Sequence, residues 1–323
     1  LIFFMESKAV KIKKVALHMP GLEPPYRIPT STSLVLRGNF MLMISMITWA
    51  AGFPAADYLL HHGWGSLLII NMRYILVIGV LLPLWIFVDG PRAVLDADWI
   101  RGLWVGGISF GFGAYLLIVA QYLTDPVLVA IIAAAMPIAA TTIEVFYKER
   151  VLKWRFFLGL VFTVFGGVIA AGQAQAASFS LGILLAVIAT FLFAWGSHTT
   201  VRSFPKLTTL GRMTITFSGG FVAVVLAAAI SLLLGHELFP VRSVTLYDLG
   251  MISIYSFSAI MISQYFWLRG VERLGIALAS FHINTAPFYV MLFLLVLGSA
   301  WSWTQAIGAS FVAFGVLLAQ LRR

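Results

Sequence analysis

Residues 135–159 read AMPIAATTIEVFYKERVLKWRFFLG, and residues 285–308 read TAPFYVMLFLLVLGSAWSWTQAIG. The two stretches share a proline, a tryptophan and a glycine at corresponding places, in the pairs Pro137 and Pro287, Trp154 and Trp303, and Gly159 and Gly308. The first stretch carries six charges between Glu144 and Arg155, whereas the second carries none. Two similar stretches about 150 residues apart predict an internal repeat, and the lost charges require an explanation.

The composition places the whole chain in a membrane. Hydrophobic residues make up 61% of the 323 residues, the mean hydropathy is +0.99, and only 10% of the residues are charged, against roughly 25% in a soluble domain. Too few charged residues are left to cover a soluble core of this size. The chain has no cysteine, which excludes disulfides and cysteine-ligated metals.

Apolar stretches long enough to cross a bilayer recur along the chain. We number them segments 1 to 10, at residues 39–60, 66–88, 100–123, 126–147, 154–173, 180–201, 210–234, 247–269, 274–297 and 301–320. The sequence therefore predicts an all-α integral membrane protein with ten transmembrane helices.

The basic residues predict the orientation of these segments. Nineteen of the 21 Lys and Arg residues lie in the N-terminal tail, after the even-numbered segments, or at the end of the chain. The exceptions are Arg242 and Arg73, and Arg73 lies within segment 2. Because cytoplasmic loops carry the excess of Lys and Arg, both termini are predicted to be cytoplasmic. The net charge of +9 thus reflects membrane topology, and we expect no nucleic-acid partner.

The same topology explains why the second copy lacks charges. The six charges between Glu144 and Arg155 form a charged hairpin between segments 4 and 5. Five segments per copy is an odd number, so the second copy is inverted in the membrane. Its equivalent hairpin, between segments 9 and 10, faces outward, where Lys and Arg are disfavoured. Further matched positions are Trp49 with Trp195, Gly166 with Gly315, and Arg73 with Arg212. We predict two inverted five-helix repeats, at 38–175 and 176–323, after a cytoplasmic extension at 1–37.

Inverted repeats are a recurring plan of secondary transporters, whose substrate site lies near the midplane beside broken helices. Pro137 and Pro287 fall near the centres of segments 4 and 9, and Pro54 falls in segment 1. Each proline removes a backbone hydrogen bond, which is tolerated where protein or a cavity satisfies the freed carbonyl. Prolines that merely bend membrane helices are the alternative interpretation. The symmetric pair puts helix breaks beside a cavity on an equal footing with simple bending.

The chain resembles a known family at these motifs. Trp49, Arg73 and the stretches AQYLTDPVLVAIIAAAMP and KERVLKWRFFLG in the first half are similar to an EamA domain, and RGVERLGIALASFHINTAP and WTQAIG repeat the pattern in the second half. The resemblance, to the drug/metabolite transporter superfamily, covers about residues 38–320. It implies a ten-helix inverted-repeat fold in the bacterial inner membrane and the export, or sometimes uptake, of amino acids and other small metabolites.

Arg73 is the first candidate for substrate binding. It lies seven residues, or roughly 10 Å at 1.5 Å per residue, inside the outer end of segment 2, and a charge at that depth must face protein or water. It could hold a substrate carboxylate, or it could form a structural ion pair with Asp57. The cost of a buried charge favours the ion pair.

Polar residues near the prolines are further candidates. Glu144 could carry a coupling proton, or it could pair with Lys148 one helical turn later. His282 and Asn284 precede Pro287, and His198 follows Trp195 by three residues. No carboxylate accompanies either histidine, so we expect no metal site, and interhelical hydrogen bonding is the alternative for each.

Several aromatic and amide side chains fall within segments, away from the interfacial belts. They are Trp49, Tyr74, Tyr115, Trp195, Tyr255, Gln264 and Tyr265. These residues either line an amphipathic cavity or simply pack between helices. We predict a substrate-binding set of Trp49, Arg73, Tyr74, Tyr115, Trp195, His198, Tyr265, His282 and Asn284.

No nucleotide-binding loop or hydrolase motif is present, so we expect no enzyme activity, no cofactor and no ATP-driven step. A membrane enzyme would require clustered acids or histidines, and a channel would require a polar ring. The predicted partners are a small-molecule substrate, the lipid bilayer and a coupling proton, with the protein a monomer or weak dimer. We expect an exporter of an amino acid, with aromatic amino acids among the candidates, because only Arg73 clearly supplies charge at cavity depth. Uptake of another small metabolite or drug-like compound is the alternative.

Overall fold

A computed structural model describes residues 32–148, 154–172, 177–238, 240, 242–274 and 279–320 of the chain. Every regular element in these ranges is helical. Eight helices are long and apolar enough to cross a membrane: Val35–His61, Ser66–Asp89, Trp99–Leu123, Pro126–Phe146, Trp154–Ala171, Ser180–Ser203, Thr209–Leu233 and Leu246–Gly270. They correspond to segments 1 to 8. The prediction of an all-α membrane protein is confirmed.

Segments 9 and 10 contain shorter apolar helices, at His282–Val296 and Trp303–Leu318. The total of ten transmembrane helices therefore stays a prediction. Segment 1 starts at Val35, four residues before the predicted boundary, so the predicted extension at 1–37 overlaps the first helix. Residues 1–31, and residues 149–153 of the charged hairpin, lie outside the described ranges.

Several segments are composed of shorter elements. In segment 1 the helix Thr32–Ala50 is followed by Gly52–His61, and in segment 4 Pro126–Ala133 is followed by Met136–Phe146. In segment 9 a 3₁₀ turn, Ser280–Thr285, precedes the helix Ala286–Val296. Outside segments 3 and 8, the other helices are Ser66–Asp89, Pro91–Leu95, Trp154–Ala171, Ala177–Ser203, Thr209–Leu233 and Trp303–Gln320.

Segments 3 and 8 each contain a π-helical stretch. Gly107–Phe112 interrupts segment 3 between the helices Trp99–Gly106 and Gly113–Leu123, and Ile254–Ile262 interrupts segment 8 between Leu246–Ser253 and Ser263–Leu274. Such stretches are rare and occur frequently at functional sites. They fall in segments that the predicted repeat pairs with each other.

Segments 5 and 10 pack against each other through glycines. A Cβ added to Gly166 would lie 2.6 Å from the carbonyl oxygen of Gly308, and one added to Gly308 would lie 2.6 Å from that of Gly166. Likewise, a Cβ on Gly315 would lie 2.5 Å from the oxygen of Gly159. Since Gly159 matches Gly308 and Gly166 matches Gly315 in the sequence, the contact is reciprocal, as a pseudo-twofold axis would make it.

Segment 3 packs closely on segment 7 in the same way. A Cβ on Gly102 would meet Ile215 at 2.4 Å, and one on Gly111 would meet the carbonyl oxygen of Gly220 at 3.0 Å. These glycines therefore serve close helix packing, as small residues at membrane helix interfaces do. Around this frame, eight segments enclose a cavity.

Candidate functional site

The central cavity has a volume of about 120 Å³. Its walls come from segments 1 to 4 and 6 to 9, whereas the paired segments 5 and 10 contribute none of its described lining. The helix interruptions border it: Gly52 follows the break in segment 1, Ala133 and Met136 flank the break in segment 4, and Tyr255 and Ile260 belong to the π-helical stretch of segment 8. The irregular backbone is thus placed where a cavity can accept it.

Arg73 is the one charged residue in this described lining. Its side chain is only 8% exposed, its Nη1 donates to the hydroxyl of Tyr255 at 2.7 Å, and its guanidinium carbon lies 4.5 Å from the centre of the Tyr255 ring. No carboxylate in the described ranges forms an ion pair with it, and its buried Nε has no hydrogen-bond partner there. The cavity therefore contains a positive group with unused donors.

The predicted ion pair of Arg73 with Asp57 is wrong. Asp57 lies in the helix Gly52–His61 of segment 1, where its carboxylate lies 3.5 Å from Nδ1 of His61. Arg73 instead faces segment 8. Its match with Arg212 stays a prediction: those residues are 139 positions apart, whereas the other matched pairs are 146 to 150 apart. Arg212 lies at the start of segment 7 and donates to the carbonyl oxygens of Phe204 and Pro205.

Aromatic rings form much of the cavity wall. Trp49 and Phe53 meet edge to face with centroids 5.1 Å apart, and Phe110 and Phe217 meet similarly at 5.4 Å. Trp267, only 6% exposed, completes this wall from segment 8. Such rings present flat apolar surface to a ligand.

Polar groups are interspersed among these rings. Gln121 lines the cavity and donates from Nε2 to the carbonyl oxygen of Phe53 at 2.7 Å. Ser45 donates to the carbonyl oxygen of Ser263 at 2.8 Å, which joins segments 1 and 8 at the cavity wall. Gln264 lies in the same wall. The lining as a whole is amphipathic, with one cation.

Three of the nine predicted binding residues line this cavity: Trp49, Arg73 and Tyr74. Tyr74 is fully buried and donates to the carbonyl oxygen of Phe110, within the π-helical stretch of segment 3. Tyr115 is half-buried on segment 3, outside the described lining.

The other five predicted residues lie elsewhere. Trp195 donates from Nε1 to the hydroxyl of Tyr147 at 3.3 Å, and His198 stacks on that ring with centroids 5.0 Å apart. Both belong to the end of the molecule that carries the charged hairpin. Tyr265 is 40% exposed and lines a separate cleft. His282 and Asn284 lie in the 3₁₀ turn of segment 9, where the intervening Ile283 is the residue that reaches the cavity.

The three prolines lie in the first turns of their helices. Pro137 and Pro287 each occupy the second residue of a helix, and Pro54 occupies the third residue of Gly52–His61. The carbonyl oxygen of Pro137 accepts a hydrogen bond from Thr141 at 2.9 Å. Glu144 is half-buried on Met136–Phe146, outside the described lining, and its role as a proton carrier stays a prediction.

Several lining residues are absent from the predicted binding set. Tyr255 and Gln264 are among the mid-segment polar groups of the sequence but not in that set, and Ser45, Gln121 and Ser263 were not predicted. A glutamine inside an apolar segment is a usable signal, because its amide must find a partner within the bundle. Serines are too common in membrane helices to be selected in this way. Within the described ranges, no three His, Asp or Glu residues lie close enough to hold a metal ion.

Comparison with known proteins finds a similar fold over most of the chain and a sequence similarity over its first half. A solved chain, a "Crystal structure of protein", superposes with a TM-score of 0.61 at 19% identity, over 90% of this chain and 97% of its own length; at that identity the likeness shows the fold alone. No curated protein sequence matches the chain. The model of the EamA-like transporter family matches residues 36–171. Over residues 36–171 the chain is therefore similar to the EamA-like transporter family of the drug/metabolite transporter superfamily, whose members are membrane transporters of small solutes.

Proposed function

We propose that the protein is a secondary transporter that exports an amino acid, with an aromatic one as the preferred substrate, across the plasma membrane by alternating access. The observation that carries the proposal is the buried guanidinium of Arg73 in the central cavity, with Tyr255 as its described hydrogen-bond partner. A charge inside a membrane protein is costly and usually marks a substrate or ion pathway.

The chemistry of the lining supports this substrate class. The free donors of Arg73 suit a carboxylate, which arginine binds in two parallel hydrogen bonds. A phosphate ester would need several cations, and Arg73 is alone in the described lining. The oxygens of Ser45 and Gln264 can accept from an ammonium group, and the rings of Trp49 and Trp267 can cover a flat side chain.

The size of the cavity is consistent with a small ligand. Its volume of about 120 Å³ is similar to that of an engineered 150 Å³ apolar cavity that admits benzene. It lies between the two predicted repeats, since Arg73 comes from segment 2 and Tyr255 from segment 8. Movement of one repeat against the other would therefore expose the ligand to one side at a time. The driving force is the substrate gradient or a coupled proton.

Transport in proteoliposomes tests the substrate class. Labelled phenylalanine, tryptophan and leucine are offered beside phenethylamine, which keeps the ring and amine of phenylalanine but lacks its carboxylate. Each is measured with and without a pH gradient. We expect Arg73→Gln to reduce uptake of the acids by roughly 10–100-fold, because a hydrogen bond to a charged group contributes about 1.5–3 kcal/mol. Phenethylamine should lose no such factor.

Arg101→Gln is the matched control, because Arg101 is exposed and pairs with Asp98 at 3.7 Å away from the cavity. It should transport like the original chain. Equal transport of the acids by Arg73→Gln and by the original chain, at equal amounts of reconstituted protein, would remove Arg73 from the proposal. Transport of a multiply charged phosphate ester in preference to any amino acid would overturn the substrate class.

A further inference from the structure

A second cleft of about 750 Å³ lies between segments 2, 7 and 8. Its lining differs from that of the central cavity in the way polarity is distributed. The polar residues are Asp89, Thr208, Thr209, Arg212 and Arg269. All five lie at the ends of their segments, on the side that the basic residues predict to be cytoplasmic.

The deeper part of the cleft is apolar. Its walls are Leu81, Leu84 and Val88 of segment 2, Leu210 and Met213 of segment 7, and Met261, Ile262, Tyr265 and Phe266 of segment 8. From Asp89 to Leu81, and again from Arg269 to Met261, is eight residues, or about 12 Å along a helix. That depth is close to half of the roughly 30 Å hydrocarbon core of a bilayer. The cleft thus spans most of one leaflet.

Part of this apolar wall is exposed at the surface of the molecule. Leu84 is 43% exposed and Val88 60% exposed on segment 2, and Ile262 and Tyr265 are 38% and 40% exposed on segment 8. In a membrane protein, exposed apolar side chains on a spanning helix face lipid. A water-filled vestibule would keep polar groups along its depth, whereas here they are confined to one end.

That polar end favours an anion. Arg212 commits its Nε and Nη2 to the carbonyl oxygens of Phe204 and Pro205, which fixes the guanidinium while Nη1 is left for another acceptor. Arg269 lies over the ring of Tyr265, with its guanidinium carbon 5.6 Å from the centroid. Thr208 and Thr209 lie at the N-terminal end of the 25-residue helix Thr209–Leu233, whose dipole also favours negative charge. The one acid, Asp89, accepts from the hydroxyl of Thr208.

We propose that this cleft binds an anionic phospholipid, with its phosphate between Arg212 and Arg269 and an acyl chain along the apolar wall. Basic pockets between membrane helices on the cytoplasmic side bind anionic headgroups by this chemistry. The site is separate from the transport cavity, because segment 8 presents Tyr265 and Phe266 to the cleft and Ser263, Gln264 and Trp267 to the cavity. A lipid seated here would contact segments 2, 7 and 8, which also supply Arg73, Phe217 and Tyr255.

Native mass spectrometry of the full chain in detergent tests the proposal by counting bound lipid. Phosphatidylglycerol and phosphatidylcholine with the same acyl chains are titrated separately. We expect the original chain to bind phosphatidylglycerol more tightly than phosphatidylcholine. The Arg269→Gln variant should bind phosphatidylglycerol about fivefold more weakly than the original chain does, since one basic residue near a membrane surface contributes about 1 kcal/mol. Arg101→Gln, a basic residue outside the cleft, is the control and should bind like the original chain.

Two further arms identify the source of binding. Leu84→Trp fills the apolar part while keeping both arginines, and it should also weaken phosphatidylglycerol binding. Glycerol phosphate and inorganic phosphate, which have the same anionic group without a chain, should not displace the lipid. Helical circular dichroism and a single elution peak verify that each variant is folded.

Equal binding of the two lipids would overturn the proposal, as would unchanged phosphatidylglycerol binding by the double variant Arg212→Gln with Arg269→Gln. Displacement by inorganic phosphate at equal concentration would make the cleft a soluble-anion site and would equally overturn it.

Discussion

Asp125 illustrates how a single half-buried carboxylate can make stability depend on pH. It lies between segments 3 and 4, where it caps the helix Pro126–Ala133 by accepting from the backbone N–H of Leu128 at 2.9 Å, and it also accepts from Gln305 at 2.8 Å. Burial raises the pKa of Asp125 above the ordinary value of 3.8, and the hydrogen bonds from Leu128 and Gln305 offset only part of that effect. The folded chain therefore holds this proton more tightly than the unfolded chain does.

The sign of the pH effect follows from that raised pKa. The contribution of Asp125 to stability is fully present below pH 3.8 and is lost as the pH rises through the higher folded value. Asn keeps an oxygen for both hydrogen bonds but does not ionise. We therefore expect the thermal unfolding midpoint of Asp125→Asn, relative to that of the original chain, to increase between pH 4 and pH 8. A difference that stays constant or decreases over this range would contradict the assignment.

The sequence predicted single residues unevenly, for a physical reason. Arg73, Trp49 and Tyr74 were predicted to lie at the site, because a charge or a polar ring atom inside an apolar segment must face protein or water and not lipid. Trp195, His198 and Tyr265 satisfied the same criteria but face other surfaces. Their direction depends on the rotation of each helix, and the very apolar segments leave that rotation poorly marked: on segment 6, residues on all sides are hydrophobic.

At the scale of elements, the helix ends were predictable and the irregular backbone was not. Segments 2, 3 and 4 agree with their predicted bounds within one residue, because Gly, Pro and charged residues mark where apolar runs end. The π-helical stretches Gly107–Phe112 and Ile254–Ile262 have no such marker. They arise where tertiary packing favours a widened turn over a regular one, so they could not be read from local sequence.

The glycine contact between segments 5 and 10 makes a prediction that includes its own control. Gly166 and Gly167 are neighbours on one helix, but a Cβ on Gly166 would overlap the Gly308 carbonyl oxygen, whereas a Cβ on Gly167 would meet nothing within 4 Å. We expect Gly166→Ala to destabilise the protein by about 1–3 kcal/mol, the usual cost of overpacking. Gly167→Ala should be neutral or stabilising by up to about 1 kcal/mol, because Ala favours helix more than Gly does.

Thermal unfolding in detergent distinguishes the two glycine variants. Gly308→Ala should behave like Gly166→Ala, since the contact is reciprocal. Equal stability of Gly166→Ala and Gly167→Ala would mean that the two helices are not in close backbone contact.

At the scale of the whole molecule, two ends can be distinguished by contacts between distant parts of the chain. At one end, Arg242 donates to the carbonyl oxygen of His62 at 2.7 Å, and Gln305 donates to Asp125. At the other end, Thr208 donates to Asp89, and Arg273 contacts the sulfur of Met41. Each group joins loops or segment ends that the sequence assigns to one side, so the up-and-down order of the segments is consistent across the molecule.

The division into two inverted repeats remains a proposal that several independent features support. The paired π-helical stretches, the reciprocal glycines and the matched prolines all follow a spacing of about 150 residues. What the sequence could not supply is the closure of the halves around a cavity, because side chains on different segments meet there only in three dimensions. Arg73 and Tyr255 are 182 positions apart.

The membrane orientation can be tested directly because the chain contains no cysteine, so single cysteines need no prior removal of native ones. Asp96→Cys and Lys206→Cys lie in exposed turns after segments 2 and 6, and His236→Cys and Ser299→Cys lie in exposed turns after segments 7 and 9. Since basic residues concentrate on the cytoplasmic side, we expect a membrane-impermeant maleimide added to intact cells to label only positions 236 and 299. Positions 96 and 206 should be labelled only after the membrane is opened. Labelling of positions 96 and 236 from the same side would contradict the odd number of crossings predicted between them, and with it the proposed inverted arrangement of the two halves.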